Sequence, residues 1–318
     1  MATRQETVNV GVPRSVDVLT EIATRYYLHG DSQIEIAHDM RLSPSTVSRY
    51  LQRAREDGIV YVEIRPPRHE HADLGRLVAA QYGMSRVVVA GESKHPGSLA
   101  SVAADFVDGL LRSGLRLGIS WGRTLADVVH HLRPGSVSGL IIAQLAGGID
   151  ETHPGTQGHE LVGELADLYP DSRVHYLLAP AIVGSVAIRR ALVADQTVAT
   201  ALDAARRSEV ALVGIGQMEE GGTLVAGRHV DPRDWRQLVE AGAVGNVNTR
   251  FFDAAGRPVA NLEPRTIAIS WKDLRSTPTV VAVAAGSEKT AAIKGALCTG
   301  CIDILVTDEP TARSLLSG

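Results

Sequence analysis

Residues 33–52 read QIEIAHDMRLSPSTVSRYLQ, a pattern typical of two short helices joined by a tight turn. Ser43 can cap the second helix, because its hydroxyl can accept a hydrogen bond from a free N–H of the first turn. Pro44 follows at the first helical position, where its missing N–H costs nothing. The apolar side chains that would form a small core between the two helices are Ile36, Ala37, Met40, Leu42, Val47 and Leu51. The stretch therefore predicts a helix-turn-helix.

The outer side of the second predicted helix keeps polar side chains. Short hydroxyls, amides and guanidinium groups are the side chains that reach base edges and phosphates in a major groove. Four arginines and no acidic residue occur between Arg41 and Arg55, so a basic face is expected although the whole chain has a net charge of −4. We predict double-stranded operator DNA as a partner, with the DNA-binding residues Gln33, Ser43, Ser45, Thr46, Ser48, Arg49, Gln52 and Arg53.

The length of 318 residues exceeds that of one ordinary domain. We predict a DNA-binding domain over residues 1–66 and a larger domain over residues 67–318. Residues 59–64 (IVYVEI) form an alternating run rich in β-branched residues, which predicts a strand or a two-stranded wing beside the helix-turn-helix. Pro66 and Pro67 then suggest a hinge.

Several classes of protein are excluded or disfavoured by composition. No apolar run approaches the roughly 18–20 residues that span a bilayer, and no signal-peptide pattern opens the chain, so no membrane partner is expected. Cys298 and Cys301 are the only cysteines, which excludes a disulfide framework and makes the cytoplasm the expected compartment. Without a second Cys-x-x-Cys pair they are interpreted as incidental thiols, and the histidines lack metal-site spacing. We predict no metal and no cofactor.

From about residue 73, short apolar runs alternate with helical patterns, which indicates an α/β fold with a parallel sheet covered on both faces. The predicted strands are Arg86–Ala90, Leu115–Ser120, Leu140–Leu145, Val174–Leu178, Val210–Ile215, Ile267–Ser270, Val280–Ala284 and Ile302–Val306. Ligands of such sheets bind beyond the carboxyl ends of the strands. The loops predicted there are Gly118–Thr124, Gln144–Thr156, Gly214–Gln217, Gly245–Asp253, Ala285–Lys289 and Thr307–Thr311.

Residues 118–124 (GISWGRT) form the most informative of these loops. The loop follows a strand and opens a helix, so free N–H groups and the helix dipole favour an anion there. A tight turn that needs glycine only for its backbone explains the pattern equally well. Gly-x-Ser-x-Gly is also the nucleophile elbow of serine hydrolases, but no histidine follows His229 to act as the late base, which disfavours that class. Lys289 lies in another strand-end loop, as either a phosphate contact or a solvated lysine of a first helical turn. The first turn normally favours acids over cations, so we interpret Lys289 as a phosphate contact.

Several stretches together resemble one family, the bacterial SorC/DeoR-type sugar-binding transcriptional regulators. Residues 26–64 resemble its DNA-binding domain almost throughout, although Arg41 stands where such turns commonly carry Gly. The stretches that resemble its effector domain are residues 117–126 (LGISWGRTLA), 144–149 (QLAGGI), 211–216 (ALVGIG), 242–256 (GAVGNVNTRFFDAAG), 284–297 (AAGSEKTAAIKGAL) and 302–312. The resemblance thus covers residues 15–318 as a run of motifs in order.

The resemblance implies a winged helix-turn-helix joined to an effector domain similar to sugar-phosphate isomerase folds. It implies a phosphorylated sugar whose phosphate contacts Ser120, Gly122, Arg123, Thr124 and Lys289. Gln157, Asn246 and Asp253 would then face the sugar hydroxyls, and Asn246 stands where relatives often carry an acid. The remaining residues predicted for the effector site are Gly118, Trp121, Gly147 and Gly148.

Two functions compete for this organisation. The first is a transcriptional regulator controlled by a phosphorylated sugar, which is not an enzyme and acts as a homo-oligomer, a dimer or tetramer. The near-neutral charge of the DNA-binding part favours pairing of several modules on DNA. The second is a sugar-phosphate isomerase or deaminase carrying a DNA-binding appendage. Such an enzyme needs a positioned acid–base pair, and no residues of the chain form a convincing one, so no catalytic residue is predicted.

Overall fold

The computed structural model describes residues 15–60, 71–91, 98–134, 137–149, 155–219 and 230–317. The chain divides into two compact units, Met1–Pro67 and Arg68–Gly318. The predicted wing over residues 59–64 lies mostly outside the described residues, and the predicted hinge at Pro66 and Pro67 lies entirely outside them.

Helices make up the described part of the smaller unit: α1 (Ser15–Thr24), a π-helical turn (Arg25–His29), α2 (Gln33–Asp39) and α3 (Pro44–Glu56). The predicted start of α3 is confirmed, because the Ser43 hydroxyl accepts a hydrogen bond from the Thr46 N–H at 3.1 Å. Arg41 adopts a left-handed φ of 55° in the turn before it, a conformation uncommon outside glycine. The predicted core also forms, since Ile36, Ala37, Val47 and Leu51 are buried together with Ile22.

A seven-stranded parallel sheet forms the centre of the larger unit, in the order β1-β11-β10-β5-β2-β3-β4. Its strands are β1 (Arg86–Ala90), β2 (Arg116–Ile119), β3 (Ile141–Gln144), β4 (Arg173–His175), β5 (Val210–Gly214), β10 (Thr279–Val283) and β11 (Ile304–Asp308). The predicted parallel sheet is thereby confirmed, with strand ends shifted by one or two residues at most positions.

Helices cover both faces of this sheet. The described helices of the larger unit are α4 (Ala72–Tyr82), α5 (Ser98–Asp108), α6 (Arg123–His131), α7 (Gly158–Leu168), α8 (Val186–Ala194), α9 (Gln196–Arg206), α10 (Pro232–Glu240), α11 (Trp271–Ser276), α12 (Thr290–Cys298) and α13 (Glu309–Leu316), of which α10 packs on the small sheet described below. Alternate residues of one strand enter opposite cores: Val87 and Val89 of β1 pack in one cluster, and Val88 packs in the other. Both faces are therefore apolar, which is why the strands read as continuous hydrophobic runs.

A small antiparallel sheet was not predicted from the sequence. It contains β6 (Gly216–Gln217), β7 (Ala243–Val247), β8 (Arg250–Asp253) and β9 (Pro258–Val259), paired in that order. The prediction of a loop over Gly245–Asp253 is wrong, because these residues form most of the β7–β8 hairpin. Its strands are short, and its turn lacks the Asn-Gly or Asp-Gly pair that usually reveals such a hairpin.

The predicted strand at Ile267–Ser270 is also wrong. Its β-pairing among the described residues consists of isolated bridges, from Thr266 to Ile182 and from Ala268 to Ala146, so it is not a strand of either sheet. Its apolar side chains Ile267, Ala268 and Ile269 are buried although it is not a strand, so a hydrophobic run alone could not distinguish it from one. Arg250 of β8 donates to the backbone carbonyls of Ala268 and Ile269 and thereby joins the segment to the small sheet.

Candidate functional site

A cavity of about 150 Å³ lies at the carboxyl ends of β2 and β5. In the large sheet, β3 and β4 lie beyond β2 towards one edge, and β10 and β11 lie beyond β5 towards the other. The strand order therefore reverses between β2 and β5. Ligands of open α/β sheets bind at such a point. The described residues that line the cavity are Ser120, Trp121, Gly122, Arg123, Thr124, Leu125, Gly214, Ile215, Gly216, Gln217, Glu219, Trp235, Asn246, Asn248 and Lys289.

The loop between β2 and α6 is held by its backbone. The Ser120 N–H donates to Leu212 of the neighbouring strand at 3.0 Å, and the Gly122 N–H donates to Thr156 at 3.0 Å. Gly122 has a φ of 118°, a conformation that glycine adopts without strain. α6 starts at the next residue, so the N–H groups of Arg123 and Thr124 have no partner within the helix. These donors and the helix dipole favour an anion at this end of the cavity.

Two cationic side chains line the same cavity. Arg123 is exposed on the first turn of α6, and Lys289 is half-buried at the end of the 3₁₀ turn Ser287–Lys289. The backbone before Lys289 is shaped by Gly286, which has a φ of 116° and donates its N–H to the Thr311 hydroxyl at 2.9 Å. A guanidinium and an ammonium group beside free N–H donors favour an anion over a cation at this end of the cavity.

Side-chain amides of Gln217, Asn246 and Asn248 also line the cavity. Asn246 on β7 is opposite Gly216 of β6, and a Cβ at Gly216 would lie 2.5 Å from the Asn246 amide nitrogen. Glycine therefore makes room for that amide. Asn248 occupies the turn after β7 with a φ of 51°. Neutral amides both donate and accept hydrogen bonds, which suits ligand hydroxyls.

Seven of the twelve predicted effector residues meet at this cavity: Ser120, Trp121, Gly122, Arg123, Thr124, Asn246 and Lys289. The other five do not line it, and four of them have packing, capping or turn roles instead. A Cβ on Gly118 would lie 2.3 Å from the Leu145 side chain, and one on Gly147 would lie 2.5 Å from the Ala179 carbonyl. Gly148 adjoins Gly147 and has open space where a Cβ would be. Gln157 precedes α7, with its N–H bonded to the Glu160 carboxylate at 3.0 Å.

Asp253, predicted to face sugar hydroxyls, instead closes its own hairpin. Its carboxylate accepts hydrogen bonds from the N–H groups of Ala255 and Arg257 and from the Arg257 guanidinium, at 2.7–3.0 Å. The backbone N–H of Arg257 and its guanidinium hold the pKa of Asp253 below its usual range. Local turn bonding thus uses the acceptors that were expected to bind a ligand.

Sequence reasoning did not single out four of the polar or aromatic lining residues, nor the apolar Leu125. Trp235 lies on α10 and Glu219 follows β6, and neither element was predicted. Asn248 and Gln217 fall within predicted strand-end loops, but no spacing distinguished them from their neighbours. Leu125 reads simply as an apolar position of α6.

The predicted DNA-binding residues lie along one short segment of the smaller unit. Six of them are exposed, and Gln33 and Thr46 are half-buried. Ser43 is occupied as the cap of α3, Gln52 donates to Glu56 at 2.8 Å, and Arg53 pairs with Asp57 at 3.3 Å. Arg49 is exposed and forms no ion pair with the described residues. Of the two arginines predicted to bind DNA, Arg49 is therefore the one whose guanidinium is more available.

Among the described residues, no helix is long and apolar enough to cross a bilayer. No group of three or more His, Cys, Asp or Glu side chains is placed to hold a metal ion in the same part of the chain.

Comparison with known proteins places the chain in a family. Residues 67–317 match the family model described as "Putative sugar-binding domain". The sorbitol operon regulator of Klebsiella pneumoniae is 30 % identical over 315 residues, which cover 95 % of this chain and 98 % of the relative. The deoxyribonucleoside regulator of Bacillus subtilis (strain 168) is 28 % identical over 303 residues, which cover 93 % of this chain and 96 % of the relative. The crystal structure of the full-length sorbitol operon regulator SorC from Klebsiella pneumoniae matches with a TM-score of 0.77 at 28 % identity, covering 96 % of this chain and 100 % of that one. The predicted resemblance is confirmed: this chain belongs to the SorC/DeoR-type family of sugar-binding transcriptional regulators.

Proposed function

We propose that this chain is a DNA-binding transcriptional regulator whose operator affinity is controlled by a phosphorylated sugar bound in the cavity at the ends of β2 and β5. The observation that carries the proposal is the convergence of Arg123, Lys289 and the N-terminus of α6 around one cavity. Two cations and free backbone N–H groups together favour a phosphate over a carboxylate or a neutral group.

The rest of the cavity supports a carbohydrate attached to that phosphate. Gln217, Asn246 and Asn248 supply neutral amides, and Trp121 and Trp235 supply apolar surface. Sugars present both hydroxyl groups and C–H faces, which these side chains match. Names of relatives, a sorbitol operon regulator and a deoxyribonucleoside regulator, support a carbohydrate metabolite as the effector.

The smaller unit supports operator binding through α3. Arg49, Ser45 and Ser48 are exposed on this helix, and such side chains contact bases and phosphates when a recognition helix enters a major groove. Helix-turn-helix modules commonly bind two half-sites as a dimer. We therefore propose a homo-oligomer in which bound effector changes the spacing of the modules.

No observation favours the alternative of a sugar-phosphate isomerase or deaminase. Such chemistry needs a general acid and a general base at the ligand. Among the described lining residues, Glu219 supplies the only carboxylate, and it accepts a hydrogen bond from the Gln217 amide. A regulator without turnover fits this lining better.

The decisive experiment compares Lys289→Ala with Lys272→Ala by titration calorimetry. Lys272 is exposed on α11 and does not line the cavity, so its variant controls for the loss of one positive charge. Inorganic phosphate and a panel of pentose and hexose phosphates are the probes. We expect Lys289→Ala to weaken phosphorylated probes by about tenfold or more, because a charge-assisted contact is lost. Unphosphorylated sugars should bind both variants as they bind the wild type.

The regulatory half of the proposal is tested on DNA that the wild-type protein itself selects from a random library. The best sugar phosphate of the panel should change DNA affinity by about fivefold or more, a typical coupling between two sites. Lys289→Ala should lose this response while it retains DNA affinity without effector. Weakening of unphosphorylated sugars to the same degree would remove Lys289 from phosphate contact, and turnover of a panel member would contradict the purely regulatory role.

A further inference from the structure

One buried side chain in the cavity has no hydrogen-bond partner. Asn248 is 4 % exposed and lines the cavity. Both its amide nitrogen and its amide oxygen lack a partner within the part of the chain that the structure describes. Buried side-chain amides are normally hydrogen-bonded, and an exception calls for an explanation such as a missing ligand.

The backbone around Asn248 fixes where this amide lies. Asn248 and Thr249, with φ of 51° and 58°, form the two-residue turn between β7 and β8. Such a turn requires left-handed backbone at both positions, which is unfavourable for the β-branched Thr249. Non-glycine residues persist in this conformation only where the surrounding structure holds them, commonly at ligand sites.

Arg250, directly after the turn, supplies that support. Its side chain is 4 % exposed, donates to the Ala268 carbonyl at 2.9 Å and to the Ile269 carbonyl, and pairs with Glu263. The guanidinium therefore anchors the start of β8 to the segment that crosses the core. With both ends of the turn held in the small sheet, Asn248 is preorganised rather than free to turn away.

Gln217 presents a complementary group in the same cavity. Its amide nitrogen donates to the Glu219 carboxylate at 2.9 Å. Because a carboxylate only accepts hydrogen bonds, this contact assigns the nitrogen to Glu219 and leaves the amide oxygen on the other side. That oxygen is buried and has no partner among the described residues. A ligand group that meets it must donate a hydrogen bond.

We propose that Asn248 and Gln217 form a hydroxyl-recognition subsite that makes the cavity select neutral, polyhydroxylated sugar phosphates over phosphorylated sugar acids. A hydroxyl can donate to the Gln217 oxygen, and a neighbouring hydroxyl can both donate to and accept from the Asn248 amide. A carboxylate offers only acceptors and would leave the Gln217 oxygen unpaired. The inference rests on the proposed function, since it concerns the part of the ligand beyond the phosphate.

The test compares wild-type protein with Asn248→Gly and Asn248→Asp by titration calorimetry. Glycine tolerates the left-handed φ, so Asn248→Gly removes the amide and keeps the turn. Asn248→Asp also tolerates this φ and keeps the side-chain shape and an acceptor, but it loses the donor. The probes are inorganic phosphate, the tightest-binding member of the pentose and hexose phosphate panel, the monodeoxy analogues of that member and its phosphorylated aldonic acid. Circular dichroism checks that each variant is folded.

We expect Asn248→Gly to bind inorganic phosphate within about twofold of the wild type and to lose about tenfold or more in affinity for the sugar phosphate. Asn248→Asp should also lose affinity for the sugar phosphate. One monodeoxy analogue should bind the wild type about tenfold more weakly than the intact sugar phosphate does. Asn248→Gly should bind this analogue and the intact sugar phosphate equally well. General loosening of the site does not produce this pattern. The aldonic acid should bind the wild type more weakly than the sugar phosphate.

Three results would overturn the subsite. Wild-type affinity of Asn248→Gly for the sugar phosphate would exclude the Asn248 contact while the proposed function stands. Equal or tighter binding of the aldonic acid would exclude selection against a carboxylate, again without affecting the proposed function. Failure of the wild type to bind phosphate or any panel member would reject the proposed function and the subsite together.

Discussion

The indole N–H of Trp121 donates to the backbone carbonyl of Gly147 across 3.1 Å. This bond joins the loop after β2, which opens α6, to the loop after β3. Trp121 also lines the cavity, so one side chain both contacts the ligand space and fixes the loop that carries Gly122 and Arg123. The position of the N–H donors at the start of α6 therefore depends on the neighbouring strand-end loop.

Trp121→Phe should lower both stability and phosphate affinity. Loss of the N–H leaves the Gly147 carbonyl without its donor, which should lower the free energy of unfolding by about 1 kcal/mol. Affinity for inorganic phosphate should fall several-fold because the loop is less well held. Trp271→Phe is the matched control, because the buried Trp271 indole N–H has no partner among the described residues and Trp271 does not line the cavity. Urea unfolding and titration calorimetry measure the two effects, and equal phosphate affinities of the two variants would contradict the prediction.

Gly147→Ala and Gly148→Ala should differ sharply although the two residues are adjacent. A Cβ on Gly147 would lie 2.5 Å from the Ala179 carbonyl oxygen and 2.6 Å from the Pro180 carbonyl carbon, whereas nothing lies within 4 Å of one on Gly148. Overpacking against backbone should destabilise Gly147→Ala by about 1–3 kcal/mol. Gly148→Ala should stay within about 0.5 kcal/mol of the wild type, as surface changes do. The midpoints of urea unfolding, compared at constant m-value, measure the two changes in stability. Equal midpoint shifts for the two variants would reject the close-approach role of Gly147.

Asp253→Asn should lower stability at neutral pH without changing ligand affinity. The bonds from Arg257 and Ala255 hold the pKa of Asp253 below its usual range, so the ionised carboxylate stabilises the folded state at and above neutral pH. This contribution is lost as the pH falls through the lowered pKa, below the ordinary value of about 3.9. The stability difference between wild type and variant should therefore persist from pH 7 to about 5 and shrink under more acidic conditions. A sugar phosphate that bound the variant more weakly would return Asp253 to the effector site.

Arg49→Ala should weaken operator binding more than Arg53→Ala. Arg53 is already paired with Asp57 at 3.3 Å, whereas Arg49 is exposed and forms no ion pair with the described part of the chain. Loss of a base contact typically costs about 1–3 kcal/mol and relaxes sequence preference at one position. Fluorescence anisotropy is measured across a salt series on DNA sequences that the wild-type protein selects. A loss confined to one base position indicates a base contact, whereas a loss of affinity that is equal for all sequences indicates a phosphate contact. Unchanged affinity of Arg49→Ala would show that α3 is not the recognition helix.

Local sequence was sufficient wherever short-range chemistry sets the structure. Ser43 and Pro44 specify the start of α3, since a cap needs only the residues of one turn. The continuous apolar run Val87-Val88-Val89 defines β1 with the bounds Arg86–Ala90 that were predicted, because both faces of a parallel strand are buried. Gly122 and Arg123 mark the start of α6, and they also allowed the sequence to predict this part of the cavity lining.

Only the tertiary structure decided which amides line the cavity and what roles several glycines and acids have. Asn248 and Asp253 lie in one hairpin, and local sequence does not distinguish their roles. The Asn248 amide is buried in the cavity and has no partner among the described residues, whereas the Asp253 carboxylate accepts hydrogen bonds within its own turn. Gly147 is required by the approach of Ala179, more than thirty residues away along the chain. Such contacts join segments distant in sequence, and no local periodicity or propensity encodes which of them meet. The family and the loop that opens α6 were therefore readable from the residues alone, whereas the set of amides that line the cavity depended on how the small sheet packs against the large one.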